Sequence, residues 1–149
     1  VQVTVGNVLY CWDKVCVKGT KAARTYSVFI ESRPKINNRR KYPRVDIDNS
    51  CTVTIKDTGR SIECKLDNIS ANGFAFITSD ACFMDHKSEE ISMEIHDFVL
   101  TRHNRLEGRV IRCSDDEGSY IVGCQMPEDD FFIRDYVSER LKREKNQRK

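Results

Sequence analysis

The sequence predicts a mainly β protein, an antiparallel sandwich or small barrel followed by a single C-terminal helix. Apolar and polar residues alternate over eight short segments, at 1–5, 26–30, 51–55, 62–69, 74–78, 91–95, 106–112 and 120–126. Turn-forming residues separate several of them, at 57–59, 72–73 and 115–118. Many short strands at this spacing are typical of sandwiches and small barrels. The length of 149 residues favours one compact domain with an appended arm.

The order of the elements follows from these patterns. Residues 1–36 hold strand-like pieces and predict a small β-structured N-terminal extension, or the remainder of an upstream domain. A basic linker is expected at 37–44 and a barrel at 45–127, in which residues 81–90 lose the alternation and predict a loop with one helical turn.

A helix and a basic tail are expected at 128–149. Ile133, Val137 and Leu141 recur every four residues, with Phe132 and Tyr136 beside them. The helix begins among acidic residues and ends among basic ones, as its dipole favours. We expect the apolar stripe to plug one end of the barrel.

Composition excludes several classes of protein. Hydrophobic residues make up 39% and charged residues 32%, with a mean hydropathy of −0.57, which indicates a folded chain without a membrane span. The seven cysteines are odd in number, with no CxxC pair and no histidine at metal-binding spacing. This usage predicts a reduced, cytoplasmic protein without a metal site.

The net charge of +2 is unevenly distributed. Residues 33–44 contain six cations and no acid, and residues 134–149 carry a net charge of +4. The rest of the chain therefore carries −8. Two basic segments on an acidic body indicate a local anion site and a basic tail, rather than a surface that coats nucleic acid.

The first candidate motif is Asn-Arg-Arg-Lys-Tyr-Pro-Arg at 38–44, just before a predicted strand. A guanidinium group is a planar fork that binds phosphate in a bidentate manner and stacks on aromatic bases. Arg40 and Arg44 could bind one ligand with both guanidinium groups if the chain between them is extended. Pro43 favours an extended backbone at Tyr42, the residue before it. Alone, the motif is equally explained as a solvated basic linker.

The second candidate motif is Asn-Ile-Ser-Ala-Asn-Gly at 68–73, where one predicted strand ends and the next begins. Asn68 and Ser70 can hydrogen-bond base edges or phosphate. Asn72 and Gly73 are expected to form a turn that leaves the backbone open to a ligand. Taken alone, this motif is better explained as an ordinary hairpin turn.

In this order and spacing, the two motifs resemble the signature of the PilZ domain family, RxxxR followed by (D/N)xSxxG. Arg39 before the first motif and the strands at 108–113 and 120–126 extend the resemblance to residues 38–142.

The resemblance implies a six-stranded antiparallel PilZ-type β-barrel with a C-terminal helix, which binds the bacterial second messenger cyclic di-GMP. It implies no other cofactor. Arg40 and Arg44 would bind phosphates and guanine faces, Arg39 would add a contact, and Asn68, Ser70 and Gly73 would line the guanine pocket. The ligand would neutralise the arginines and reorient the N-terminal extension, which would signal to a partner protein.

Three other functions are weighed against this hypothesis. An enzyme is not expected. The cysteines on predicted strands, at 51, 64, 113 and 124, are expected to be small core residues with no sequence neighbour that clearly lowers the thiol pKa, and the three histidines lie in polar, exposed contexts. A nucleic-acid-binding barrel would stack bases on Tyr10, Trp12, Phe74 or Phe76, although nucleic acid is not the expected partner. A PilZ-like adaptor without ligand would bind only protein.

Overall fold

The computed structural model describes residues 1–5, 8–20, 22, 24–38, 40–85 and 88–148. The chain divides into two compact units, Val1–Lys41 and Tyr42–Lys149.

The first unit consists of two small antiparallel sheets. One contains β1 (Gln2–Val5), β2 (Val8–Cys11) and β5 (Lys35–Asn38) in the order β1-β2-β5. The other pairs β3 (Cys16–Thr20) with β4 (Thr25–Phe29). None of the described side chains of this unit is buried, since sheets of two and three strands enclose little. The predicted β-structured extension is confirmed, but the boundary expected after residue 36 falls inside β5.

The second unit is a closed barrel of six antiparallel strands, which confirms the predicted fold class. The strands follow the order β10-β11-β8-β7-β6-β9 around the barrel. Their bounds are β6 (Val45–Ile55), β7 (Ser61–Ser70), β8 (Gly73–Thr78), β9 (Glu90–Ile95), β10 (Arg105–Asp116) and β11 (Ser119–Gln125). Alternate residues face inward, as at Cys51, Val53 and Ile55 of β6, all of which are buried.

Both ends of the barrel are closed by apolar side chains. The helix α1 (Phe131–Gln147) contributes Ile133 and Val137 to the core at one end, as its spacing predicted. Burying each of these side chains contributes roughly 1.5 to 3 kcal/mol. At the other end, the short 3-10 helix Ala81–Phe83 inserts Phe83 edge-on against Phe76, with ring centroids 5.4 Å apart.

Two expectations about the elements are wrong. Strand β6 begins at Val45, six residues before the predicted segment, because polar Asn49 takes an inward position and interrupts the apolar alternation of the sequence, although burial alternates along the whole strand. A bulge near residues 47–48 shifts its pairing with β7. Phe132 does not join the buried stripe of α1, since 66% of it is exposed.

Candidate functional site

The second sequence motif lies at one end of the barrel, in the hairpin that joins β7 to β8. Asn68 and Ser70 are among the last residues of β7, and Gly73 opens β8. Ser70 pairs with Gly73 across the ladder, so the two-residue turn consists of Ala71 and Asn72. The observed turn is therefore displaced by one residue from the turn predicted at Asn72 and Gly73. Neither Asn72 nor Gly73 is among the described residues with a positive φ.

Gly73 is required for close packing rather than for turn geometry. It pairs with Gln125 of β11, and a Cβ atom built on it would lie 2.7 Å from the carbonyl oxygen of Cys124. That separation is well inside ordinary contact, and the neighbour is backbone that cannot rotate away. A contact between Gly73 and a ligand remains a prediction.

The hydroxyl of Ser70 holds the turn together. Only 1% of the residue is exposed, and its Oγ lies 3.0 Å from Oδ1 of Asn72 and 3.2 Å from the carbonyl oxygen of Gly73, with one proton to donate. The backbone N–H of Asn72 donates to the same Oγ at 3.4 Å. Ser70 thus shapes the hairpin, and its direct contact with a ligand stays a prediction.

Asn68 carries a buried acceptor without a donor. Its Nδ2 donates to Oδ2 of Asp67 at 2.8 Å, and this bond fixes the orientation of the amide. Its Oδ1 is buried and has no hydrogen-bond partner among the residues that the structure describes. Buried polar atoms are nearly always paired, so an orphan acceptor at a candidate site indicates a missing donor.

A backbone irregularity positions this amide. Asp67 is an extra residue in the ladder between β7 and β8, and the ladder between β6 and β7 shifts register at the same place. Such bulges bend a strand and redirect its side chains, and they are frequent beside functional sites.

The end of the first motif lies beside Asn68. Arg44 immediately precedes β6, whose first two residues, Val45 and Asp46, pair with Ile69 and Asn68. The structure therefore brings the half-buried Arg44 to the same end of the sheet as the second motif. Arg40 belongs to the first unit and Arg39 lies outside the described residues, so the barrel geometry bears on Arg44 alone.

Three residues to which the sequence analysis gave no role in the site, Tyr42, Asp129 and Asp130, connect this end of the barrel to α1. Tyr42, inside the first motif, donates its hydroxyl proton to Oδ2 of Asp129 at 2.7 Å. Asp130 caps α1, because its Oδ1 accepts the N–H groups of Phe132 and Ile133. The cap could have been predicted, because an acidic residue just before an amphipathic stretch is a typical N-cap. The bond between Asp129 and Tyr42 could not, because the two residues are 87 positions apart in the sequence.

The hairpin turn is also bonded directly to the segment that leads into α1. The N–H of Asp130 donates to the carbonyl of Ala71 at 2.7 Å, and the N–H of Met126 donates to that of Asn72 at 2.9 Å. The candidate site and the start of the helix therefore share one hydrogen-bonded framework.

Other candidate chemistry is weak in the described part of the chain. Burial raises the pKa of Cys51 and of Cys124 to about 12, which disfavours the reactive thiolate. The described residues contain no group of three or more histidine, cysteine or acidic side chains that could hold a metal ion. Phe74 and Phe76 are buried in the core, so the expectation that they could stack on bases is wrong.

None of the described helices has the length and apolar composition needed to cross a membrane.

The sequence matches a family model described as the PilZ domain over residues 38–137, two thirds of the chain. With the closed six-stranded barrel and its C-terminal helix, this places the chain in the PilZ domain family. The sequence search found no match among curated proteins.

Solved structures share the fold at low sequence identity. The Bacillus subtilis inhibitor of motility, MotI/DgrA, has a TM-score of 0.64 and 16% identity, over 95% of this chain and 73% of its own. Escherichia coli YcgR in complex with c-di-GMP has a TM-score of 0.56 and 12% identity, over 99% of this chain and 66% of its own. The chain thus spans about two thirds to three quarters of the length of these proteins.

The separate PilZ domain of Escherichia coli YcgR, solved with c-di-GMP, has a TM-score of 0.52 and 14% identity. The match covers 73% of this chain and 98% of that domain.

Proposed function

We propose that this protein is a bacterial receptor for cyclic di-GMP, which it binds through Arg40 and Arg44 of the first motif and Asn68, Ser70 and Gly73 of the second, with Arg39 as an additional contact. The observation that carries the proposal is the buried, unpartnered Oδ1 of Asn68 at the end of the sheet where Arg44 enters the barrel. Membership of the PilZ family and the c-di-GMP complexes of YcgR support the choice of ligand.

The donors and acceptors of the ligand suit these residues. The Watson–Crick edge of guanine presents an imino and an amino N–H, both donors, and the orphan Oδ1 of Asn68 is an acceptor. Two phosphodiester groups supply the negative charge that guanidinium forks bind best. Ser70 and Gly73 would act mainly by shaping the hairpin that presents Asn68.

Signalling would arise at the junction between the two units, within the bacterial cytoplasm. Residues 33–44 carry six like charges next to the barrel motif, and a dianionic ligand would neutralise part of them. Arg40 and Arg44 belong to different units, so a ligand held by both would tie the units together and change their relative orientation for a downstream partner.

Calorimetric titration of cyclic di-GMP at near-physiological salt tests the binding proposal, with GTP present as a competitor. Each of Arg40→Ala and Arg44→Ala should weaken binding roughly 10- to 150-fold, as expected for a lost charged hydrogen bond of about 1.5 to 3 kcal/mol. Lys35→Ala is the matched control, because this cation lies outside the motif and pairs with Asp13 at 2.7 Å.

Each alternative predicts a different titration. No heat with the wild-type chain would contradict the proposal and leave an adaptor that binds only protein. Binding that ignores ligand identity and falls steeply with salt would indicate nucleic acid. Small-angle scattering that saturating ligand leaves unchanged would contradict the reorientation.

A further inference from the structure

The start of α1 exposes two adjacent aromatic side chains. Phe131 is 56% exposed and Phe132 is 66% exposed, whereas Ile133, the next residue, is fully buried. Both rings are held by neighbours, since the guanidinium of Arg134 lies 4.8 Å from the centre of Phe131 and His103 stacks on Phe132 at 4.5 Å. Rigid exposed aromatic rings are favourable anchors for protein contacts, because binding orders them at little entropic cost.

These rings border a groove on the outside of the barrel. They line a cavity of about 340 Å³ together with Leu106, Met126 and Pro127. A second cavity of about 410 Å³ shares Glu107, Met126 and Pro127 with the first, so the groove continues along β10. Neither cavity is lined by Arg44, Asn68 or Ser70, so the groove differs from the proposed ligand contacts, although Met126 and Asp130 bond it to the β7–β8 hairpin.

The charge around the aromatic rings is mainly acidic. Four acidic residues line the first cavity, against one arginine and one histidine; the acids are Glu107, Glu128, Asp129 and Asp130. Several of them already have a contact, since Asp129 accepts from Tyr42, Asp130 caps α1, and Glu107 pairs with Lys56. The surface nevertheless carries an excess of negative charge that favours a cationic partner.

We propose that this groove is a docking surface for a partner protein, which would insert an apolar side chain flanked by lysine or arginine between Phe131, Phe132 and the acidic rim. An anionic membrane does not fit, because the acidic rim would be repelled by it. A second copy of the chain would have to offer either Leu141 from the basic end of α1, which packs against its own barrel, or exposed Ile36 from the basic residues 33–44. Sedimentation velocity distinguishes that occupant from a different protein.

The test selects peptides from a random phage-displayed library on the full chain. The proposal predicts that the enriched sequences combine aromatic or aliphatic residues with lysine or arginine. A synthetic peptide of the enriched sequence should bind at least 10-fold more weakly to the double variant Phe131→Ser, Phe132→Ser. It should also bind more weakly to Glu128→Lys, which reverses one exposed charge of the rim.

Controls separate docking from folding. Tyr26→Ser removes another exposed aromatic ring, in the first unit, and should leave peptide binding unchanged. The Phe variants alter exposed side chains, so their thermal unfolding should match that of the wild type. Enriched peptides that are acidic, or that bind the double variant equally well, would overturn the proposal. A dimer in sedimentation velocity that the double variant abolishes would also overturn it, because the occupant would be a second copy.

Discussion

The amide of Asn68 is the residue on which the proposed ligand chemistry most depends. Its Nδ2 is held by Asp67, and its Oδ1 is buried and accepts no hydrogen bond from the described part of the chain. A buried polar atom that lacks its hydrogen bond costs about 1 to 3 kcal/mol of stability. We therefore expect the Oδ1 of Asn68 to serve binding rather than stability.

Replacing Asn68 by leucine should therefore separate stability from binding. We expect the free energy of unfolding of Asn68→Leu to stay within about 1 kcal/mol of the wild type, because the substitution removes an unsatisfied acceptor, which offsets the loss of the bond from Nδ2 to Asp67. The affinity for cyclic di-GMP should fall at least 10-fold. Urea denaturation and titration calorimetry measure the two quantities.

The matched control is Asn49→Leu, in β6. The Nδ2 of Asn49 donates to the carbonyl of His96 at 2.9 Å, so this change should cost about 1 to 3 kcal/mol of unfolding free energy and spare ligand affinity. A strongly destabilised Asn68→Leu that binds ligand normally would show that the amide serves the fold alone.

Gly73 is the second residue whose role the geometry defines. A methyl group at this position would lie 2.7 Å from the Cys124 carbonyl oxygen, so β8 and β11 must move apart in Gly73→Ala. We expect a loss of about 1 to 3 kcal/mol in unfolding free energy, the usual cost of overpacking. Gly59→Asn is the control, because Gly59 has open space around it and a φ of 70°, which asparagine tolerates. Equal stabilities of Gly73→Ala and the wild type would refute the packing argument.

At the scale of elements, the β7–β8 hairpin and α1 behave as one assembly. Two backbone hydrogen bonds join the turn at Ala71 and Asn72 to the segment before the helix, and Asp130 caps that helix. A ligand that orders the hairpin would therefore also reinforce the start of α1.

Removing the helix cap tests this assembly. Asp130→Ala leaves the first N–H groups of α1 without an acceptor, and should lower the free energy of unfolding by about 0.5 to 2 kcal/mol. Chemical denaturation measures the change. Asp135→Ala is the control, since this exposed acid pairs with exposed Arg134 and should change stability by less than about 0.5 kcal/mol. Equal effects of the two substitutions would argue against the cap.

The elements show where sequence patterns succeed and where they fail. The four-residue spacing of Ile133 and Val137 was sufficient to predict how α1 plugs the barrel. The first half of β6 could not be predicted, because Asn49 and Ser50 are two polar residues in succession and break the apolar alternation on which strand prediction depends. The Asn72-Gly73 pair predicted the turn one residue too late. Glycine is needed at position 73 for close packing against Cys124 and not for a positive φ.

For the whole molecule, alternation predicted a sandwich or barrel, and only the resemblance of the two motifs to the PilZ signature chose the barrel. The candidate site was less predictable. Its motif residues could be recognised in the sequence. The buried, unpaired acceptor of Asn68 and the hydrogen bond from Tyr42 to Asp129 could not, because both depend on tertiary contacts.

Core thiols should make the stability of the whole molecule sensitive to alkaline pH. Burial raises the pKa of Cys51 and of Cys124 to about 12 from 9.0, the ordinary value. Above pH 9 the unfolded chain loses these protons while the folded chain keeps them. Their stabilising contribution is therefore complete below pH 9 and declines toward pH 12, by about 1.4 kcal/mol per pH unit for each thiol.

Urea denaturation between pH 8 and 10.5 measures this slope. The double variant Cys51→Ala, Cys124→Ala should be less stable at pH 8 because of the cavities, yet lose stability more slowly as the pH rises. Cys16→Ala, which alters an exposed thiol, should keep the wild-type slope. Identical slopes in all three proteins would show that the core thiols do not control the alkaline transition.

The most direct test of the central claim is the relative affinity of the wild-type chain for cyclic di-GMP and cyclic di-AMP, measured by titration calorimetry. The two ligands share their phosphates and differ in the base. Adenine lacks the N1 imino and C2 amino donors of guanine that the Oδ1 of Asn68 would accept, and its own amino donor lies at C6, a different position on the ring. We predict a preference for cyclic di-GMP of at least about 100-fold, which Asn68→Leu reduces at least 10-fold. Equal affinities for the two ligands, or no binding of either, would contradict the claim that this end of the barrel recognises guanine.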